Sequence, residues 1–328
     1  MTAAMTAAPS DLIGAEAHSP LAGSPLAVLA PGARVPPGAV AVALDRAGDL
    51  PPLDPANYDV MITCRADAPA PWVSVTPERI DAQLEAVRAT AAASPVATGL
   101  LARVLRLGEG MAFSAALELE SLAYSTLLGG AEFRRWLAAR SGAEDIPGGA
   151  VRYERAGDAV TLTLASPASR NAMSAAMRDA LYEALVNVLE DPSLPRLILK
   201  ADGRCFSTGG ALAEFGSARD LAAAHVIRTQ RGCARVLHLL GERAEVHLHG
   251  ACIGSGIEVP AAAARRLAAP DLMVQLPELR MGLIPGAGGT VTLSRAMGRH
   301  RLLWLALGAF RIGFAQARSW GLIHAELP

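Results

Sequence analysis

VHLHGACIGSGIEVPAAAARRLAAPDLMVQLPELRMGLIPGAGGT, Val246 to Thr290, carries two glycine-rich turns, Gly254-Ser255-Gly256 and Gly286-Ala287-Gly288-Gly289. Glu258 follows the first turn and Glu278 precedes the second. Ahead of the first turn Val246 and Leu248 alternate with His247 and His249, the period-two pattern of a strand. After it, the alanine-rich run Val259 to Leu267 reads as helix, since Pro260 is tolerable in a first helical turn. Strand, glycine turn and helix together present free backbone N–H groups at a positive helix end. Such a place favours a developing anion, and a carboxylate one turn into the helix sits beside it. Neither turn is a nucleotide fingerprint. Gly254-Ser255-Gly256 lacks the third glycine of G-x-G-x-x-G, and no lysine follows either turn as a phosphate loop requires. Taken singly, each glutamate reads first as a solvated surface group.

Working outward, the 328 residues allow one large domain or two smaller ones. An apolar content of 52% is ample for a buried core and inconsistent with disorder. The formal net charge of -1 gives no bulk attraction to nucleic acid or an anionic membrane. Cys64, Cys205, Cys233 and Cys252 have no metal-type spacing and fit buried small residues in a reducing, cytoplasmic setting. His247 and His249 share a strand face but have no third ligand at a fitting spacing, so no metal is expected. There is no apolar run of about 18 residues to span a membrane. Residues 1–24 lack the charged head and apolar core of a signal peptide and are expected to be a flexible leader.

Residues 25–75 are rich in proline and glycine, with short strands expected at Ala39–Leu44 and Val60–Thr63 and Trp72 as an anchor on a neighbouring surface. Residues 76–140 read as helices. Thr76 stands at an N-cap with Pro77 at the first helical position, and Ile80, Leu84 and Val87 recur at helical spacing. A second helix starts at Ser94-Pro95, a third covers Met111–Leu128 and a short last one covers Glu132–Arg140. Further on, Val160–Leu164 is a period-two strand, Ser174–Leu189 a helix and Leu197–Leu199 a short buried strand.

Five stretches, in order, carry a resemblance: RNAMSAAMRDAL (Arg170–Leu181), FSTGGALAEFG (Phe206–Gly216), CIGSGIE (Cys252–Glu258), LPELRMGLIPGAGGT (Leu276–Thr290) and ARSWGLIHAELP (Ala317–Pro328). Over about residues 151–328 the chain resembles the enoyl-CoA hydratase/isomerase (crotonase) family. The resemblance implies an α/β fold, a ClpP-like spiral of repeated ββα units acting on acyl-CoA thioesters. It places the backbone N–H groups of Gly210 and Ser255 as an oxyanion hole for the thioester oxygen, each donor worth roughly 3 kcal/mol. It places Glu258 and Glu278 on the positions that carry a hydratase's base and acid. Two carboxylates in a low-dielectric pocket cannot comfortably both ionise, so one should have a raised pKa. Arg170, Ala172, Gly209, Ala211 and Leu212 are the implied coenzyme A contacts, with the Arg170 fork suited to phosphate and an ordinary surface arginine the equal alternative. Ala211 stands where many members have aspartate, which leaves open how that loop is held. Coenzyme A is part of the substrate, and no cofactor or metal is implied.

The resemblance extends to SPVATGLLARVLRLGEGMAFSAALELESLAYSTLLGGAEFRRWLAAR (Ser94–Arg140), which is similar to the helical segment that ends ordinary members and builds much of their trimer contact. Here it precedes the core. A circular permutant explains this, with residues 141–150 as the new linker; a tandem fusion that lost most of its first copy is the competing explanation. Either way, residues 76–140 should cover the core of residues 151–328, within the chain or in a swapped neighbour, and a homotrimer or dimer of trimers is implied. Arg140 falls where many members carry a phenylalanine near a neighbour's coenzyme A. Arg265-Arg266 reads as a solvated helix end, Met281, Leu283 and Ile284 as acyl pocket or core, and Trp304 and Trp320 as packing. The expected reaction is hydration of a trans-2-enoyl-CoA. Isomerisation, thioester hydrolysis or a non-catalytic acyl-CoA or partner-binding scaffold are the alternatives.

Overall fold

A computed structural model of the chain describes residues 16–140, 145 and 148–328. Most of the expected leader and most of the expected 141–150 linker lie outside the described residues. The chain opens with four parallel strands paired in sequence order, β1 (Leu26–Leu29), β2 (Val40–Asp45), β3 (Val60–Thr63) and β4 (Val73–Ser74). The proline-rich segment thus forms a sheet of its own, with Val42 against Val60 and Ile62 against Val73. Val40, Val42, Val60 and Ile62 enter the main core, while Ala41, Ala43 and Met61 face a smaller cluster. The Trp72 side chain is buried in that smaller cluster with Tyr58 and Met61, while its carbonyl accepts from Arg301 Nε at 3.3 Å.

Four helices follow among the described residues: α1 (Pro77–Ala93), α2 (Pro95–Gly108), α3 (Phe113–Leu128) and α4 (Ala131–Ala138). Thr76 and Ser94 stand at the N-cap positions of α1 and α2, but neither hydroxyl makes a capping bond. For α2 the open N–H groups are taken by a distant side chain instead. Glu132, at the start of α4, accepts from the Val96 and Ala97 N–H groups at 2.8 and 3.0 Å. The cap therefore fixes α4 to α2.

The rest of the chain is a six-stranded sheet ordered β13-β10-β8-β7-β6-β5 and a three-stranded sheet ordered β12-β11-β9. Their strands are β5 (Val151–Ala156), β6 (Ala159–Leu164), β7 (Arg196–Ala201), β8 (Ala244–Leu248), β9 (Ala251–Ile253), β10 (Arg265–Ala268), β11 (Met273–Gln275), β12 (Arg311–Gly313) and β13 (Ala325–Glu326). All ladders of the large sheet are parallel except β5 against β6. In β8 Ala244, Val246 and Leu248 are buried and Glu245 and His247 lie on the other face, as the alternation predicts. His247 pairs with Glu245 at 2.6 Å, and His249 Nε2 lies 3.0 Å from the Gly203 carbonyl. The connecting helices are α5 (Ala175–Glu190), α6 (Leu221–Gln230), α7 (Cys233–Leu240), α8 (Ser255–Glu258), α9 (Gly289–Met297), α10 (Arg299–Gly308) and α11 (Phe314–Ser319). Among the described residues, no helix is long and apolar enough to cross a membrane.

One expectation fails here. The run from Val259 to Leu267 is not a helix: α8 ends at Glu258, Pro260–Ala262 is a single tight turn, and Arg265–Ala268 is strand β10. Pro260 has no N–H to continue the helical ladder. The alanines' helical preference then yields to sheet pairing, since β10 lies between β8 and β13. Arg266 is accordingly no solvated helix end. It is buried, and its guanidinium donates to the carbonyls of Leu322 at 2.7 Å, Ala263 at 2.5 Å and Gly321 at 3.3 Å. Arg265 remains exposed and pairs with Glu245.

The two parts of the chain share one core. Arg299, at the start of α10, donates to the carbonyls of Tyr58 and Pro55 and to Glu109, at 2.8, 3.0 and 2.9 Å. Helix α3 packs on α6 and α9, which places it over the glycine turns.

Candidate active site

Strand β9 runs into Gly254, whose backbone (φ 51°, ψ −124°) is one that residues with a side chain do not adopt. A β-carbon there would also lie 2.6 Å from Glu278 Oε1 and 3.7 Å from Glu258 Oε1. The glycine is thus required twice, and the same distances show both carboxylates converging on one point of the backbone. The turn sets Ser255 as the first residue of α8 and Glu258 as its last. Helix α8 is one turn long, so the anion-binding character here comes from individual N–H groups rather than from a long helix.

Gly210 lines the same cavity from another loop. Gly210 forms a parallel bridge with Met173, in which Met173 N–H donates to Gly209 and Ala211 N–H donates to Met173, at 2.8 and 3.1 Å. In that pattern the N–H of Gly210 itself points to the opposite side. Among the described residues neither the Gly210 nor the Ser255 N–H has an acceptor, and both residues line one cavity of about 490 Å³ with Glu258 and Glu278. The loop around Ala211 is held by several groups. Ser207 Oγ donates to the Asn171 carbonyl at 2.8 Å and accepts from Gly209 N–H at 3.2 Å, and Glu214 accepts from Ala175 N–H at 2.8 Å. Ala211 itself is buried.

Of the implied coenzyme A contacts, Gly209 and Leu212 line the cavity; Arg170, Ala172 and Ala211 do not. Arg170 is exposed with a left-handed backbone, and its carbonyl accepts from Thr208 N–H at 3.2 Å. Met281 lines the cavity, whereas Leu283 and Ile284 are fully buried in the core. Arg140 lies over Trp136 and donates to the Leu212 carbonyl at 2.6 Å, beside the cavity wall.

The second glycine turn is gripped from two sides by two glutamates. Glu258 Oε2 accepts from the Ala287 and Gly289 N–H groups at 2.7 and 3.1 Å. Glu120, from α3, accepts from Gly288 N–H at 2.7 Å through one oxygen and from Thr290 N–H and Oγ at 2.8 and 2.7 Å through the other. Alternate N–H groups of one short loop therefore go to alternate carboxylates. The grip is tight: a β-carbon at Gly286 would sit 2.3 Å from the Tyr124 ring of α3. Glu120 and Tyr124 had no place in the expected site. A signal for Glu120 was present, because Ala116, Glu120, Ala123 and Leu127 follow helical spacing and all are buried. A glutamate on the apolar stripe of an amphipathic helix needs polar partners in the core.

Burial sets the protonation of this cluster. Glu278 is pushed up to about 8 by burial, with the nearby Glu120 charge adding to it, and its Oε2 is enclosed without a hydrogen-bond partner. Glu120 is pushed up to about 7 by burial, against the opposing pull of its loop donors. Glu258 is also raised by burial and then by Glu278 and Glu120, while its two backbone donors act the other way. Of the facing pair, Glu258 accepts from two N–H groups of the second glycine turn, whereas Glu278 is reached only by its own backbone N–H and leaves Oε2 unpaired, so Glu278 is the better seat for a proton. Two carboxylates with divided roles, beside two open N–H donors, can move protons to and from a group whose oxygen gains charge.

The 2,3-dehydroadipyl-CoA hydratase of Escherichia coli is 32% identical over 171 residues, covering 51% of this chain and 65% of that protein. An enoyl-CoA isomerase/hydratase of Mycosarcoma maydis is 31% identical over 180 residues, covering 51% and 64%. The chain thus spans less than two thirds of the length of these relatives. A solved enoyl-CoA hydratase/isomerase-type structure from Mycobacterium abscessus superposes with a TM-score of 0.50 at 25% identity, over 54% of this chain and 70% of its own. The family profile described as Enoyl-CoA hydratase/isomerase matches residues 159–328, just over half of the chain. With its α/β crotonase fold and its cavity lined by both glycine turns, the chain belongs to the enoyl-CoA hydratase/isomerase family.

Proposed function

We propose that this protein hydrates trans-2-enoyl-CoA thioesters to 3-hydroxyacyl-CoA. The observation that carries the reading is the convergence of Glu258 and Glu278 at Gly254, in a cavity that also receives the open N–H groups of Gly210 and Ser255. Water adds through oxygen to C3 while Glu258 takes its proton. The π electrons move toward the thioester oxygen, where the two N–H donors stabilise the charge. The proton on Glu278 then passes to C2, and the double bond is consumed. Coenzyme A enters as part of the substrate, and no step calls on a further cofactor.

Helices α1 to α4 take, in this reading, the place of the helical segment that follows the core in ordinary members, and they do so within one chain. Glu120 on the Gly286–Thr290 loop supports it. Trimeric assembly is part of the same proposal, and light scattering on the purified protein tests it.

The decisive assay follows the absorbance of the conjugated thioester of crotonyl-CoA, with longer and aromatic enoyl-CoAs beside it. The expected result is its loss with 3-hydroxyacyl-CoA as product, abolished by Glu258→Gln or Glu278→Gln. Formation of the 3-enoyl isomer, or of free coenzyme A, would replace hydration by isomerisation or hydrolysis. Binding of acyl-CoA without turnover of any of them leaves a scaffold.

A further inference from the structure

Three arginines line the cavity, Arg178, Arg228 and Arg231. Arg178 pairs with Asp179 at 2.9 Å, and Arg231 lies 3.4 Å from Asp179 and 3.7 Å from Glu183. Arg228, on α6, is different. It is half-buried, and among the described residues no carboxylate lies within ion-pair distance of it. One edge of its guanidinium is tied down: Nη1 donates to Ser121 Oγ at 2.8 Å, the Ser121 carbonyl at 3.3 Å and Ser125 Oγ at 3.1 Å. Its carbon centre lies 4.6 Å from the Tyr124 ring centroid. Nε and Nη2 have no acceptor among the described residues. The nearest candidate counter-charge, Glu120, has both oxygens engaged by the Gly288–Thr290 backbone. Burial lowers the affinity of Arg228 for its proton, the mark of a charge without full compensation.

A fixed, partly desolvated guanidinium with an open edge in a largely apolar cavity is a receptor for a planar anion. Its position says which part of a thioester would meet it. Ser121 and Tyr124, which hold it, flank Glu120 on α3, and Tyr124 presses on Gly286 beside the glutamates. Arg228 therefore stands at the Glu120–Tyr124 side of the cavity, where the acyl-CoA reading above would put the acyl chain. We propose that Arg228 selects acyl thioesters whose acyl chain ends in a carboxylate. This rests on the acyl-CoA reading above and adds the substrate class to it.

The test uses the full-length protein with trans-2-pentenedioyl-, hexenedioyl- and octenedioyl-CoA, each against the neutral 2-enoyl-CoA of the same length. For at least one length, the carboxylate-ended substrate should have kcat/KM higher by on the order of 10- to 100-fold, the scale of a charge-assisted hydrogen-bond pair. Arg228→Gln should erase that preference while leaving the neutral substrate within a few-fold, and Arg228→Lys should restore part of it. N-acetylcysteamine thioesters, which carry no phosphate, separate the two possible anions. The preference persists in them if Arg228 reads the acyl end. If the arginine effect is equal for all coenzyme A thioesters and vanishes without the nucleotide, the ligand is a coenzyme A phosphate and the proposal fails. Equal loss on every substrate assigns Arg228 to holding α6 on α3 and likewise overturns it. If no thioester turns over, calorimetry with adipoyl-CoA and hexanoyl-CoA decides alone. Tighter adipoyl-CoA binding that Arg228→Gln abolishes upholds the selection while hydration fails; equal binding overturns it.

Discussion

Glu258 and Glu120 are both buried glutamates bonded to the Gly286–Thr290 loop, one from the turn after β9 and the other from a helix far ahead of it in sequence. Glu258 engages Oε2 with two N–H groups and leaves Oε1 near Gly254, facing Glu278. Glu120 engages both oxygens with three donors. A carboxylate whose acceptor sites are filled by fixed backbone is a brace, whereas one with an oxygen left over can exchange a proton with a ligand. The proposed catalytic residue and the residue that positions its loop are thus told apart by their unused valence. Burial does not separate them.

Substitution should separate the two roles, and the largest effect is expected at the facing pair. Glu258→Gln and Glu278→Gln should each lower kcat by about 10³-fold or more while leaving the protein folded, measured on the best enoyl-CoA substrate beside a thermal melt. Glu120→Ala comes next. It leaves Gly288 N–H, Thr290 N–H and the Thr290 hydroxyl without an acceptor, which should cost about 3 kcal/mol of stability in a denaturant titration. Activity should fall on the order of 10²-fold through misplacement of Glu258, with the loss in kcat rather than KM. Full activity in that variant would reduce α3 to a cover.

The pH response is a smaller effect. Glu278 is raised from 4.5 to about 8, so its protonated form is present at neutral pH and kcat should decline as pH rises through about 8. The same shift acts on stability. The folded value exceeds the unfolded one, so the contribution is complete below about pH 4.5 and is lost as pH rises through about 8. Melting temperature should therefore fall across that window, and Glu278→Gln should flatten the fall. The smallest effect belongs to Thr290→Val, which removes one of Glu120's three donors and should cost about 1 kcal/mol by melting.

Much of this was legible before folding where backbone geometry restricts the residue. Gly254 and Gly286 have to be glycine because carboxylates and a tyrosine ring occupy the space of a side chain. Such positions leave motifs, and the motifs led to Glu258, Glu278, Gly210 and Ser255. Glu120 left a fainter trace, one acidic residue on an apolar stripe, because two of its three donors are main-chain groups that any sequence would supply. The helix expected after Val259 failed for a tertiary reason: β8 and β13 claim Arg265–Ala268 as their shared neighbour. Arg266 goes with that strand rather than with a solvated helix end, since its partners at residues 321–324 are distant in sequence. The parallel sheet of residues 26–74 was visible only as separate short runs, because the pairing of strands is not encoded in any one of them.

The bonds from Glu120 to Gly288 and Thr290 span 168 and 170 residues. Contacts so far apart close late, since the entropy of the intervening chain is lost before the bond is gained. The loop that holds Glu258 is consequently completed only when both ends of this span have already folded and met. Acquisition of activity on refolding should lag the recovery of helical circular dichroism, and a chain arrested with its two parts undocked would be compact, helical and silent.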